Sequence, residues 1–305
     1  MPHQPVLLPA TLAALSICPT GTYVDATFGS GGHAQAILKE LQGGRLVAFD
    51  QDQAAAQVAA QVMHPAFTFV HANARFMPQF LAYHGVQKVD GILADLGTSA
   101  HQLDTAARGF AARHAGPLDM RMDVRGELTA QGILATYTAR QLQLLLQDYG
   151  EVHNARTVAQ GIVAARASGP LQTTADLRAL LQRWAPRGRE YKYCAKVFQA
   201  LRIEVNDELG ALKDILQQSV SLLKPGGRLV VLAYHSLEDR PVKRFLKTGN
   251  FEGKLNKNVY GHVLRPLQPL HSKPTRPTAA ELSANNRARS AKLRVGVRSA
   301  CTRQA

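Results

Sequence analysis

The stretch Asp25-Ala26-Thr27-Phe28-Gly29-Ser30-Gly31-Gly32-His33 constrains the fold more than any other part of the chain. It follows an aromatic and β-branched run, Thr22-Tyr23-Val24, and precedes Ala34, Ile37, Leu38 and Leu41, which share one face of a helix. A strand, a glycine turn and a helix are the expected order. Glycines admit positive φ and close ligand approach, and the first turn of a helix offers unpaired N–H groups. Gly29-x-Gly31-x-x-Ala34 fits the loose dinucleotide-binding pattern. Asp25, however, stands ahead of the glycines, where a carboxylate repels a pyrophosphate and attracts an ammonium group. That favours S-adenosylmethionine over NAD. Asp50 ends the run Arg45-Leu46-Val47-Ala48-Phe49, about 20 residues past the glycines, where an acid can bind ribose hydroxyls. Asp52 reads as a helix N-cap.

The same rhythm then repeats. A helix is expected over 53–62, a strand over Phe67-Thr68-Phe69-Val70-His71, a helix over 75–84 and a strand over 88–94. After the third strand, Asn73-Ala74-Arg75-Phe76 places an aromatic that either stacks on an adenine or joins the core. The fourth strand runs into Asp95-Leu96-Gly97-Thr98-Ser99. Alternating strands and helices with short connections make a parallel doubly wound sheet, in which ligands bind beyond the carboxyl ends of the strands. Asp25, Asp50, Asn73 and Asp95 are thereby expected around one cleft.

From about Gln102 the alternation stops. Helical patterns occupy 129–137, 139–149, 152–167 and 174–184, the last opening on the capping arrangement Thr173-Thr174-Ala175-Asp176. A long helical stretch carrying Val197, Leu201, Val205, Leu209, Leu212, Ile215, Leu216 and Leu223 stops at Lys224-Pro225-Gly226-Gly227. Arg228 to Ala233 is a buried strand leading into Tyr234-His235-Ser236-Leu237-Glu238-Asp239-Arg240. A helix through Val242 to Leu246, a loop-like segment over 251–278 and a closing strand over 293–297 complete the chain. The reading is an α/β sheet domain of residues 1–103 and 207–305, interrupted by an all-helical insertion, 104–206, for RNA recognition.

Charge is unevenly spread. Of the formal +14, residues 241–305 hold 14 Lys/Arg against Glu252 and Glu281, while the first 240 residues are nearly balanced. A basic segment on a near-neutral body suits a polyanion, and Phe251, Tyr260, Leu264 and Leu270 interleave it, which favours nucleic acid over a merely solubilising tail. In the insertion, Arg183, Arg187, Arg189, Lys192 and Lys196 fit either nucleic acid or a solvated helix face. No run approaches about 18 apolar residues and no basic-then-apolar leader opens the sequence, so a cytoplasmic protein without a membrane span is expected. Cys18, Cys194 and Cys301 are odd in number and far apart, which argues for free thiols. The 11 histidines form no HxxxH pair, so no metal is expected.

Taken together, several motifs resemble the bacterial 16S ribosomal RNA cytosine-N4 methyltransferases of the RsmH (MraW) type. They are Asp25-x-Thr27-x-Gly29-x-Gly31-Gly32-His33, Asp95-Leu96-Gly97-x-Ser99, Gly116-Pro117-Leu118-Asp119-Met120-Arg121-Met122-Asp123, Phe198-Gln199-Ala200-Leu201-Arg202-Ile203, His235-Ser236-Leu237-Glu238-Asp239-Arg240 and Arg287-Ala288-Arg289-Ser290. The resemblance covers nearly the whole chain. It implies a Rossmann-like class I S-adenosylmethionine-dependent methyltransferase sheet with an inserted helical domain. It also implies methylation of a cytidine in the decoding region of the small ribosomal subunit. The family's cofactor positions fall on Gly31, Gly32, His33, Asp50, Phe76, Asp95 and Gln102, to which the residue reading adds Asp25 and Gly29. Departures from the family pattern are Ala34 for Ser or Thr, Cys194-Ala195-Lys196 within a usual Pro-Ala-Thr-Arg run, Tyr234 for Phe and Asn286 for Pro.

Cytosine N4 is a poor nucleophile because its lone pair is delocalised into the ring, so catalysis here rests on positioning and on an acceptor for the amino hydrogen. Asp95 or the backbone at Leu96 and Gly97 is the first candidate for that acceptor, with Ser99 and His235 next. A structural role for His235 fits equally. A non-catalytic RNA-binding factor is disfavoured by the intact glycine loop and strand-end acids, and an NAD-dependent oxidoreductase by Asp25. Homodimerisation is left open.

Overall fold

The computed structural model describes residues 5–299. The chain divides into two compact units, residues 1–97 with 209–305, and residues 98–208. Residues 98–103 thus go with the helical insertion rather than the sheet, because Ser99 and Gln102 nucleate the insertion's first helix.

In the first unit, α1 (Leu8–Leu15) precedes β1 (Thr22–Asp25), α2 (Gly32–Glu40), β2 (Arg45–Asp50), α3 (Gln53–Ala59), β3 (Phe67–His71), α4 (Met77–Tyr83) and β4 (Val89–Asp95). The helical unit contains α5 (Ala100–Asp104), α6 (Ala130–Thr136), α7 (Ala139–Asp148), α8 (Ala155–Ser168), α9 (Thr174–Leu181) and α10 (Glu190–Asn206). The chain returns through α11 (Glu208–Leu222), β5 (Leu223–Ala233), α12 (Ser236–Thr248), β6 (Leu267–Pro269), α13 (Ala279–Ala284) and β7 (Lys292–Arg298).

The described strands form one sheet in the order β3-β2-β1-β4-β5-β7-β6. The first five are mutually parallel, and β7 pairs antiparallel with both β5 and β6. The order reverses between β1 and β4, which opens a ligand crevice at the carboxyl ends of those strands. This is the Rossmann-like arrangement expected of the sheet. Successive residues of a strand point to opposite faces. Leu229 and Val231 of β5 therefore join the core with Met77, Leu81, Leu216 and Phe245, whereas Val230 and Leu232 pack with Leu15, Ile37 and Leu38 on the other side. Strands buried on both faces explain the nearly uninterrupted apolar runs. Gly91 is fixed by space: a Cβ there would lie 2.8 Å from the Tyr23 ring.

The helical unit has its own core, built from Ile133, Leu142, Leu146, Val158, Ile162, Leu177, Leu181, Val197 and Leu201. Capping boxes start α7 at Thr138 and Gln141, and α9 at Thr173 and Asp176.

Three sequence readings need correction. The long helix expected through Val205 and Leu209 is two helices, broken at Asp207, which takes φ 46°. Lys224-Pro225-Gly226-Gly227, read as the stop of that helix, does follow its end at Leu222 but is itself part of β5. Leu223 pairs with Val89, the register jumps so that Arg228 faces Gly91, and Lys224 Nζ is held 2.7 Å from Asp90 Oδ2. Within the segment read as loop, Leu267 is fully buried and starts the short edge strand β6. Cys18 and Cys194 are free thiols, exposed and buried respectively, and Cys301 lies outside the described residues. Among the described residues no helix is long and apolar enough to cross a membrane.

Candidate active site

Parallel pairing aligns the strand ends. Asp25 sits beside Ala48 of β2 and Leu93 of β4, and Asp95 sits beside Leu232 of β5. The loop after β1 is then tied to its neighbours. Asp50 Oδ2 accepts the Gly29 N–H at 2.7 Å, Asp50 Oδ1 accepts the Asp52 N–H at 2.9 Å, and Thr27 Oγ1 accepts the Asp95 N–H at 2.6 Å. Asp52 caps α3 by accepting from the Ala54 N–H.

The glycines are required where they stand. Gly29 and Gly31 have φ of 54° and 77°, a Cβ on Gly31 would come within 2.7 Å of the Phe28 ring, and one on Gly32 within 2.3 Å of Pro5. Gly31 is also the N-cap of α2, in the left-handed region and without a side-chain cap hydrogen bond.

Asp25 is 1% exposed. Its Oδ1 accepts the Thr27 N–H, but its Oδ2 is buried without a hydrogen-bond partner. Burial pushes its pKa up to about 6, opposed by His33 and aided by the nearby carboxylates of Asp95 and Asp50. A buried carboxylate oxygen with an open lone pair fits an ammonium donor.

Asp95 lies in a network of its own. The Tyr234 hydroxyl donates to Oδ1 at 2.7 Å, and His33 Nδ1 stands 3.5 Å from Oδ2. The other ring nitrogen of His33 lies 3.2 Å from the Val6 carbonyl, which can only accept, so Nε2 carries the hydrogen. Burial raises Asp95 to about 7, against the Tyr234 hydrogen bond and with the repulsion of Glu238. Asp50 is likewise raised by burial, against the N–H groups it accepts.

His235 follows β5 directly. Glu238 accepts the Tyr234 N–H at 2.7 Å through Oε2, and its Oε1 is 3.0 Å from His235 Nε2 without the alignment of a hydrogen bond. Both ring nitrogens of His235 are buried and without a hydrogen-bond partner.

Past β3, Asn73 is an N-cap: it accepts the Arg75 N–H and donates to Gln51. Arg75 is fastened to Asp214 by a 2.6 Å ion pair. Phe76, in contrast, is 48% exposed, so it is no core residue. Ser99 and Gln102 belong to the helical unit, where they form a capping box at the start of α5.

The structure thus gathers Asp25, Gly29, Gly31, Gly32, His33, Asp50 and Asp95 at one edge of the sheet. Sequence reasoning missed Thr27, Tyr234 and Glu238 as parts of it. Glu238 had a local signal, three residues after His235 at a helix start, while Thr27 and Tyr234 reveal themselves only through partners on other strands.

Comparison with known proteins agrees with this geometry. The family model described as the MraW methylase family matches residues 1–299. The chain is 55% identical over 298 residues to ribosomal RNA small subunit methyltransferase H of Amoebophilus asiaticus, covering 98% of this chain and 96% of that one. It is 50% identical to the protein of the same name from Cytophaga hutchinsonii, over 98% and 100% of the two chains. The corresponding protein of Bacteroides thetaiotaomicron is 48% identical, over 96% of each. With its length matched nearly end to end and its strand-end site intact, the chain is a methyltransferase and belongs to the MraW methylase family.

Proposed function

We propose that this protein uses S-adenosylmethionine to methylate the exocyclic N4 of a cytidine in the decoding region of 16S ribosomal RNA in the small ribosomal subunit. It would work in the cytoplasm, where that substrate is. The observation that carries the reading is the conjunction, at one rim, of a buried, unpartnered carboxylate oxygen on Asp25, a glycine cradle and a raised, oriented carboxylate at Asp95. S-adenosylmethionine, when bound, supplies a methyl group on a sulfonium.

Asp25 Oδ2 takes the ammonium of the donor's amino-acid moiety. Gly29, whose missing side chain would meet nothing closer than 3.9 Å, lets the donor approach the backbone, while Gly31 and Gly32 let Phe28 and Pro5 pack closely and so shape the turn. Asp50 accepts from the ribose hydroxyls through its remaining lone pairs, and Phe76 offers its exposed ring to the adenine. His33 bridges Val6 and Asp95 and so keeps the loop closed on the fourth strand. Ser99 stays a second candidate for the hydrogen acceptor, and Gln102 a cofactor position by resemblance to the family.

Asp95 accepts a hydrogen from the cytosine amino group, which turns the N4 lone pair out of the ring plane and towards the methyl carbon. With the donor bound, its methyl group would pass from sulfur to N4, and Asp95 would take the surplus proton from N4. A carboxyl poised near neutrality suits this transfer. His235, 3.0 Å from Glu238, stays the alternative acceptor for the proton, while Glu238 holds the backbone of Tyr234.

The test is to incubate the protein with methyl-labelled S-adenosylmethionine and small subunits from cells lacking it, then map the label. One N4-methylated cytidine in the decoding region is expected. Label on another base, or none, would end the reading.

A further inference from the structure

Helix α12 presents Arg240, Lys243, Arg244 and Lys247 at spacings of three and four, so all four cations share one face. All four are exposed, whereas Val242, Phe245 and Leu246 on the other side are buried against the sheet. Like charges at i and i+4 destabilise a helix, and among the described residues no carboxylate forms an ion pair with Lys243, Arg244 or Lys247. The same four residues line a shallow depression with Thr248, and its far wall, from Glu252 to Leu255, carries a single acid.

Beside the helix end stands a small hairpin. Lys257 bridges Val263, Asn258 N–H donates to the His262 carbonyl at 2.9 Å, and Asn258 Oδ1 accepts the N–H groups of Tyr260 and His262. Gly261 closes the turn at φ 82°. This ordered tip holds Val259 and Tyr260 out in solvent, 94% and 81% exposed. Its base is tied to α12, since Arg265 Nη1 donates to the Lys247 carbonyl and Gly249, just past the helix, leaves no room for a Cβ against the Leu264 carbonyl.

We propose that the outer face of α12 and the hairpin 257–263 form an RNA-docking surface, with backbone phosphates along the helix cations and an unpaired base stacked on Tyr260. The inference rests on the reading of RNA as substrate and adds where the sheet unit grips it. Phosphates need a row of cations, and a solvent-held ring beside that row is a stacking platform that any unpaired base can use. A lipid surface fits less well, because the apolar face of α12 is buried in the core and the exposed apolar side chains are confined to the hairpin.

The test measures binding of a short fluorescent single-stranded RNA to the full chain across a salt series. For Lys243→Gln/Arg244→Gln/Lys247→Gln the salt slope of log affinity should fall by about two, at roughly 0.7 for each phosphate that is no longer neutralised. For Tyr260→Ala affinity should fall about tenfold with the slope unchanged. Affinity for S-adenosylhomocysteine should stay at the wild-type value in both. If wild type binds the RNA and the triple variant keeps its slope, the docking surface is wrong while the substrate reading stands. It is equally wrong if the substitutions abolish only binding to phosphatidylglycerol vesicles. If wild type binds no RNA at all, this docking surface falls, and the substrate reading is judged separately by the label mapped on small subunits.

Discussion

The Tyr234 hydroxyl donates to Oδ1 of Asp95 across 139 residues of sequence. This leaves Oδ2, which His33 Nδ1 approaches at 3.5 Å, as the oxygen proposed to face a substrate amine. The hydrogen bond also favours the ionised carboxylate against burial, which alone would raise Asp95 further than about 7. The acceptor must be ionised, so turnover should rise with pH through a limb near 7. Tyr234→Phe removes a hydrogen bond to a charged group, about 1.5 kcal/mol or more, and should move that limb up by about one pH unit. Above the displaced limb the variant should recover its turnover. A pH profile of single-turnover methyl transfer decides it; an unmoved limb would take Asp95 out of the acceptor role.

Asp25 makes donor binding proton-linked. Its carboxyl titrates at about 6 because burial outweighs the attraction of His33, and only the ionised form can hold an ammonium. Below that pH, binding must expel a proton, so affinity for S-adenosylhomocysteine should rise about tenfold per pH unit up to roughly 6 and level off above it. Calorimetry in buffers of different ionisation enthalpy should find close to one proton released at acid pH and almost none in the alkaline range. Asp25→Asn should abolish the dependence. The same shift has a stability consequence in the ligand-free protein. A carboxyl raised in the fold stabilises below its ordinary range and loses that contribution as pH rises through about 6. The stability advantage of Asp25→Asn should accordingly grow over that window.

Asp50 has two tasks that a single substitution separates from catalysis. It accepts the Gly29 and Asp52 N–H groups, and its remaining lone pairs are assigned to the ribose. Asp50→Ala should weaken S-adenosylhomocysteine binding by about 10- to 100-fold, the loss of one or two hydrogen bonds to a charged group. Turnover at saturating donor should change little. Asp95→Ala should do the reverse, sparing affinity and lowering the rate of the preformed complex. Equal affinities in wild type and Asp50→Ala would remove the ribose assignment.

How far such a site can be read from sequence depends on how local its causes are. The third strand is found at Phe67–His71 as expected because a short apolar run bounded by polar residues needs no partner to be recognised. The rim acids are legible for the same reason: each ends its own strand. The start of β5 is not, since Pro225-Gly226-Gly227 is a helix-stop pattern by local rules and only the pairing of Leu223 with Val89 and the reach of Lys224 to Asp90 turn it into a bulged strand. The break at Asp207 is hidden likewise, because apolar spacing continues across it. Tyr234 reads as an ordinary variant of Phe until its hydroxyl is seen against Asp95. Phe76 fits core and stacking equally by its sequence neighbours, and only its exposure separates the two.

The glycine turn offers a last test, in which shape and conformation can be told apart. Gly31 and Gly85 both sit in the left-handed region, at φ 77° and 72°. A Cβ on Gly85 meets nothing within 4 Å, so Gly85→Ala carries only the cost of that backbone conformation, about 1 kcal/mol. A Cβ on Gly31 meets the Phe28 ring at 2.7 Å, and that ring cannot yield freely because it is packed against Phe67 and Phe69 at 5.7 and 5.4 Å. Gly31→Ala should therefore cost a further 1–3 kcal/mol, roughly, for the overpacked core. Calorimetric unfolding of the two variants should show a clearly larger drop in Tm for Gly31→Ala, together with weakened S-adenosylhomocysteine binding that Gly85→Ala lacks. Equal drops would mean that the loop relaxes around the new methyl and that its glycines answer to the ligand alone.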